Sequence, residues 1–278
     1  MNTPTSEYQP CGQDRVKSIN SKLSNQCVHG SQWLAISLEF GVWNLLVTMV
    51  RMVSAIIVAA GRGTRMGPNI DKLFLEVAGR PIIAHTWAKF NLAACIDEVV
   101  LVIRAGMEDA FEGIAATFHF DKPHRFVTGG AERQDSVWNG LHAVAAETDV
   151  VAIHDGARPC VSGELIEHTV RAARECGAAV AAQRVTDTIK QSGDGVAISS
   201  TIDRAKLWSV QTPQAFRLSV IRHAIGAARS QGLNLTDDTA ACELIHQPVR
   251  LVESKRPNPK VTLAGDLPLI EALLASPS

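Results

Sequence analysis

From residue 53 onward, short apolar runs alternate with longer stretches of helical period. Val53–Ala59 (VSAIIVA) is an unbroken apolar run rich in β-branched residues, so it reads as a strand buried on both faces. Glu98–Ile103 (EVVLVI), Arg125–Thr128, Asp149–His154 (DVVAIH), Ala178–Gln183 and Val249–Glu253 read as further strands. Between them, Pro81–Ala94, residues 107–118, Glu132–Glu147 and Leu165–Cys176 read as helices. Pro81 would occupy a tolerated first-turn position, and Gly177 would stop the last helix. More helices fall at 218–229, after the Thr236-Asp237-Asp238 turn, and at Asp266–Leu274. This alternation predicts an α/β fold: a Rossmann-like, mostly parallel sheet with helices on both faces. Ligands of such sheets bind beyond the carboxyl ends of the strands.

Residues 184–215 break the rhythm. They hold Gly193, Gly195 and Pro213, with β-like pieces near 185–190 and 196–202. The simplest expectation is a projecting β-arm over about 184–210, able to reach onto a partner. The first fifty residues are different again. Residues 1–32 are polar and without period, whereas 33–50 (WLAISLEFGVWNLLVTMV) form an apolar stretch of a length that raises a membrane question. Glu39 and Asn44 interrupt it, no Lys/Arg cluster flanks it closely, and no small-residue cleavage site follows a short apolar stretch. Neither a membrane span nor a secretory signal is expected. Met49 and Met52 both stand just before the first strand, so residues 1–50 read as an extension, disordered or upstream of the native start. Residues 51–278 then form the working domain.

Composition narrows the function. Apolar residues make up 46% and charged residues 20% of the 278, enough for a sizeable core. Lys+Arg number 27 against 28 Asp+Glu, so no global basic field exists to hold a nucleic acid. Aromatics are 5%, too sparse for a base-stacking platform. The six cysteines form no C-x-x-C pair, which argues against zinc and fits reduced thiols in a cytoplasm.

The chemistry begins in the first strand-to-helix loop, Ala59-Ala60-Gly61-Arg62-Gly63-Thr64-Arg65-Met66-Gly67, followed by Asp71-Lys72. Glycines let backbone N–H groups approach phosphate oxygens. Gly67 is followed by Pro68, so this is no Walker A loop, and the third glycine comes one residue late for a dinucleotide fingerprint. Arg65 and Lys72 bracket the loop. Two such cations beside a triphosphate would neutralise charge growing on an α-phosphate during displacement.

The loop resembles the signature of sugar-nucleotide-type nucleotidyltransferases. Gly129–Val137 (GGAERQDSV), His154–Pro159 (HDGARP), Asp187–Lys190 (DTIK), Gln211–Gln214 (QTPQ), Thr236–Asp238 and Asn258–Thr262 (NPKVT) follow in order. Together, over about residues 53–275, they resemble the 2-C-methyl-D-erythritol 4-phosphate cytidylyltransferase family. The resemblance implies the nucleotidyltransferase fold and the reaction of CTP with methylerythritol phosphate, giving the CDP-alcohol and pyrophosphate with Mg²⁺. It implies that Arg65, Lys72, Arg204 and Lys260 carry catalysis. Ala59, Ala60, Gly61, Gly63, Gly130 and Ser136 would bind the nucleotide. Asp155, Arg158, Thr188 and Thr236 would bind the alcohol, with Asp155 near a metal held mainly by phosphates. His154 would be structural. Arm residues Thr188 and Arg204 would reach a partner's site, so a homodimer is implied. A cytidylyltransferase for another polyol phosphate, such as ribitol 5-phosphate, shares several of these motifs, and a silent nucleotide-sensing module on the same fold is the alternative outside the class.

Overall fold

A computed structural model describes residues 52–61 and 71–276. The chain divides into two units between Thr48 and Met49, and the architecture below is that of the second. The expected extension over residues 1–50 lies outside the described residues, as does the 62–70 stretch of the first loop.

The described chain runs β1 (Met52–Val58), a 3-10 turn (Lys72–Phe74), a two-residue ladder of β2 (Glu76–Val77) and β3 (Arg80–Pro81), α1 (Ile82–Leu92), β4 (Glu98–Ile103), α2 (Glu108–Phe118), β5 (His124–Thr128), α3 (Arg133–Ala143) and β6 (Thr148–Asp155). It continues with α4 (Gly163–Cys176), β7 (Ala178–Arg184), β8 (Ile189–Gln191), β9 (Ser200–Ile202), β10 (Trp208–Arg217), α5 (Leu218–Ser230), α6 (Asp238–Leu244), β11 (Arg250–Glu253) and α7 (Leu267–Ala275). Seven strands form the central sheet in the order β11-β7-β10-β6-β1-β4-β5. Every neighbouring pair is parallel except those made by β10, which runs antiparallel to both β6 and β7.

Period-two alternation explains why the central strands need cover on both faces. On β1, Val53, Ala55 and Ile57 join a core with Ile82, Trp87 and Phe90 of α1 and Ile166 and Val170 of α4. Ile56 points the other way, into a core with Val137 and Leu141 of α3 and Ile221 and Ile225 of α5. All six residues of β4 are buried. Each fully buried aliphatic of this kind contributes on the order of 1.5–3 kcal/mol relative to exposure. Helix α3 approaches β1 closely because Gly140 lacks a side chain; a Cβ there would stand 2.7 Å from Ile56 Cγ2. That approach brings the first turn of α3 over the carboxyl ends of the strands.

Three details differ from the pattern-based expectation. The arm expected over about 184–210 corresponds to the β8–β9 pair, but the chain after it was not read as a strand: Trp208–Arg217 returns into the sheet as β10, between β6 and β7. Pro213 disguised this strand, since proline cannot donate to a ladder; the β10–β7 register shifts between Val210 and Gln214, which accommodates it. Helix α3 stops at Ala143 rather than near 147, where the Ala145 N–H donates to the Glu98 carboxylate at 2.7 Å. Pro81 is the extended N-cap of α1 and the end of β3, not a first-turn residue.

Candidate active site

The carboxyl ends of three strands meet around one cavity of about 570 Å³. Ala59, Ala60 and Gly61 follow β1; Gly130, Ala131, Glu132 and Arg133 follow β5; Asp155 ends β6, with Gly156 and Ala157 behind it. Lys72, from the 3-10 turn, and Lys260, from the loop after β11, complete the rim. The space suits a ligand of nucleotide size, and its place at a strand-order switch in an open α/β sheet is where such ligands bind.

Asp155 organises the charge of this cavity. Its Oδ2 accepts from Lys260 Nζ at 2.9 Å, its Oδ1 accepts from Arg133 Nε at 3.3 Å, and Arg158 Nε stands 3.5 Å away. Burial alone would push the carboxyl up, but Arg133, Lys260 and Arg158 outweigh it and hold Asp155 well below the usual carboxylate range. It is therefore an anion throughout neutral pH and a poor proton acceptor. Its main-chain N–H donates to Thr212 Oγ1 at 3.1 Å, so the QTPQ segment of β10 fixes it from behind.

Arg133 is the hub behind Asp155. Its Nη1 and Nη2 donate to the two oxygens of Asp238 at 3.0 and 2.9 Å while Nε reaches Asp155. Burial works against its charge, yet the two carboxylates hold the guanidinium more firmly protonated than usual. Asp238 is 3% exposed; burial raises its carboxyl, and the fork of Arg133 pulls the other way.

The flanking loops are each tied down. Lys72 Nζ donates to the Val261 carbonyl at 3.0 Å, linking the first loop to the Lys260 loop. Asn258 is 1% exposed; its side-chain Nδ2 donates to the Thr212 carbonyl at 2.8 Å, and its main-chain carbonyl accepts from Arg158 Nη1 at 2.8 Å. Ser136 Oγ accepts from the Gly130 N–H at 3.1 Å and donates to the Glu132 carbonyl at 3.2 Å, shaping the Gly130 loop. His154 is fully buried between Thr212 and Arg158. Its Nε2 faces the Arg158 carbonyl at 3.2 Å and must carry the proton, leaving Nδ1 to accept from the Thr212 hydroxyl at 3.1 Å. Burial pushes its pKa down to about 4, so it is neutral and structural, as expected.

Over residues 53–276 the chain matches the family described as IspD: 2-C-methyl-D-erythritol 4-phosphate cytidylyltransferase. The chain belongs to this family. It is 46% identical over 222 residues to the 2-C-methyl-D-erythritol 4-phosphate cytidylyltransferase of Geobacillus kaustophilus, covering 80% of this chain and 96% of that one. It is 44% identical over 227 residues to the protein of that name from Syntrophotalea carbinolica, covering 81% and 97%. Among solved structures, 4-diphosphocytidyl-2C-methyl-D-erythritol synthase from Anaerococcus prevotii superposes with a TM-score of 0.72 at 32% identity, over 81% of this chain and 99% of that one.

In this IspD-family chain the structure gathers Ala59, Ala60, Gly61, Lys72, Gly130, Ser136, Asp155 and Lys260 around the cavity, with Arg158 behind Asp155. Gly63 and Arg65 lie outside the described residues. Thr188 and Arg204 are exposed on the arm and Thr236 is exposed before α6; none of them lines the cavity of its own chain. Arg204 Nη1 donates to the Thr186 carbonyl, pinning the base of the arm. Sequence reasoning missed Arg133 and Asp238 as site members. Both stand inside recognised motifs, GGAERQDSV and TDD, but the bonds that give Arg133 its role span 22 and 105 residues. Among the described residues, no group of three or more His, Cys, Asp or Glu is arranged to hold a metal ion.

Proposed function

We propose that this chain transfers the cytidylyl group of CTP to 2-C-methyl-D-erythritol 4-phosphate. A phosphate oxygen of the alcohol phosphate attacks the α-phosphorus of CTP; a new P–O bond forms, the α–β bridging bond breaks, and pyrophosphate leaves with its electrons. The attacking oxygen is already anionic, so no protein base is needed. The enzyme's task is to hold two anions in line and to neutralise the charge that grows between them. A cavity rimmed by two lysines, with a carboxylate too acidic to serve as a base, is the observation that carries this reading.

In this account Lys72 and Arg65 grip the triphosphate, and Lys260 leaves Asp155 to meet the incoming phosphate. Asp155 accepts hydroxyls of the alcohol, with Arg158 beside it. Main-chain groups at Ala59–Gly61 and around Gly130 read the cytosine, whose amino donor and carbonyl acceptor distinguish it from uracil; Ser136 holds that loop in shape. Mg²⁺ belongs to the reading as a counter-ion carried mainly by the phosphates. That fits a cavity whose Asp155 oxygens are already engaged by three cations and whose other lining carboxylate is Glu132. Bound there, the ion would supply charge neutralisation of the triphosphate.

The same reading includes a homodimer. The arm carries Val196 at 91% and Ile198 at 66% exposure, large apolar side chains that favour cover. Thr188 and Arg204 sit at its base, away from their own cavity, where they can serve a second copy. The reading calls for neither a nucleic acid nor a membrane as partner, and the net charge of −1 offers no basic field to hold a nucleic acid. Among the described residues no helix is long and apolar enough to cross a bilayer. The cytoplasm, where CTP is available, is the proposed compartment. Pyrophosphate release measured with CTP or UTP against methylerythritol phosphate or ribitol 5-phosphate tests the reading. Turnover should require CTP and methylerythritol phosphate; efficient use of ribitol 5-phosphate with none of methylerythritol phosphate would overturn it.

A further inference from the structure

We propose that Arg104 is a positioning residue for nucleotide binding, acting as a clasp between Gly61 and Asp71. The proposal rests on the cytidylyl-transfer reading of the cavity. Arg104 follows the last residue of β4 and is fixed at its backbone: the Gly129 N–H donates to the Ile103 carbonyl at 2.8 Å and the Met107 N–H to the Arg104 carbonyl at 3.2 Å. From this anchor Nη1 donates to the Gly61 carbonyl at 3.4 Å and Nη2 to the Asp71 carboxylate. The other oxygen of Asp71 accepts the Leu73 N–H at 3.2 Å, capping the 3-10 turn whose first residue is Lys72. One guanidinium thus sets the place of Gly61 directly and of Lys72 through its neighbour.

Gly61 and Lys72 both line the cavity, whereas Arg104 does not. Gly61 is exposed, and among the described residues other than its chain neighbours nothing lies within 4 Å of where a Cβ would stand. The planar fork of Arg104 satisfies both acceptors in one geometry, which a lysine cannot reproduce. A bystander reading is available, because pairs of this exposure, 26% and 23%, contribute little to stability. The two readings differ in what they move: a clasp changes nucleotide binding, a bystander changes nothing.

The test uses the full chain and the variants Arg104→Gln, Arg104→Lys and Asp71→Asn, the last keeping an oxygen to cap Leu73. Calorimetry with CTP alone, steady-state constants for both substrates and melting temperatures are recorded. Arg104→Gln should weaken CTP binding roughly tenfold, the scale of a modest misplacement, with KM for the alcohol phosphate and the melting temperature unchanged. Asp71→Asn should show a similar loss, the double variant should be no worse than either single one, and Arg104→Lys should recover only part. Wild-type CTP affinity in Arg104→Gln, additive losses in the double variant, or equal weakening of both substrates with a lower melting temperature would overturn the clasp. If the unmodified enzyme bound no CTP, the cytidylyl-transfer reading would fall first and the clasp with it.

Discussion

Replacing Arg133 by Met removes the partner of two carboxylates at once. Asp238, 3% exposed, loses both of its guanidinium hydrogen bonds, and Asp155 loses one of its cations. Leaving a buried charge without its partner costs about 3–5 kcal/mol. The Arg133 side chain is 30% exposed, so water softens the penalty and the lower end, about 3 kcal/mol, applies. At roughly 2–4 °C per kcal/mol for a domain of this size, the melting temperature should fall by about 6–12 °C at pH 7. Asp238→Asn in the same background removes the orphaned charge and should return part of the loss, giving a coupling energy on the order of 2 kcal/mol in a double-mutant cycle. The pH dependence has a definite sign. Burial holds the folded carboxyl of Asp238 above its usual range even beside Arg133, and losing the guanidinium raises it further, so the added deficit is absent at low pH, where the carboxyl is neutral with or without Arg133, and grows as pH rises. Melts of Arg133→Met at pH 5 should therefore lie closer to wild type than those at pH 7. A melting temperature within about 2 °C of wild type at pH 7, or strict additivity in the cycle, would refute this account of the hub.

The strands of the central sheet were legible because their burial on both faces writes itself into unbroken apolar runs, as in VSAIIVA and EVVLVI. β10 was not, because its Gln211-Thr212-Pro213-Gln214 segment is polar and proline-containing where it crosses behind Asp155. Its burial comes from lying between β6 and β7, which no local pattern announces. The same holds for the site. Asp155 ends β6, and Lys72 and Lys260 stand in the connections that follow β1 and β11, where chemistry in such sheets is expected, and the structure brings them to one cavity. Arg133 reads locally as an ordinary first-turn residue of α3. Its partners, Asp155 and Asp238, are neighbours only once β6 and α6 have been placed. Asn258 was likewise read only as part of a motif, yet its buried side chain ties the Lys260 loop to β10.

His154 gives a second pH signature. Its folded pKa near 4 against about 6.5 unfolded means that stability is fully present above pH 6.5 and declines by roughly 3 kcal/mol as pH falls to about 4. His154→Gln should flatten the melting-temperature profile in that window, and an unchanged slope would contradict the assignment. Lys72→Ala should lower kcat on the order of 10²-fold, while Arg204→Ala should chiefly damage use of the alcohol phosphate. If the arm serves a partner's cavity, mixing the two impaired variants should restore about a quarter of wild-type activity, since half the dimers are mixed and each carries one intact composite site. No recovery after subunit exchange would exclude delivery across the dimer.

The most direct measurement is a crystal structure with CTP and the alcohol phosphate bound. The triphosphate should lie within hydrogen-bonding reach of Lys72 Nζ, the cytosine against the Gly130 loop, and the second phosphate beside Lys260. A nucleotide seated elsewhere, for instance in the groove lined by Leu92, Cys95 and Arg174, with Lys72 and Lys260 still bonded only to protein, would contradict the account.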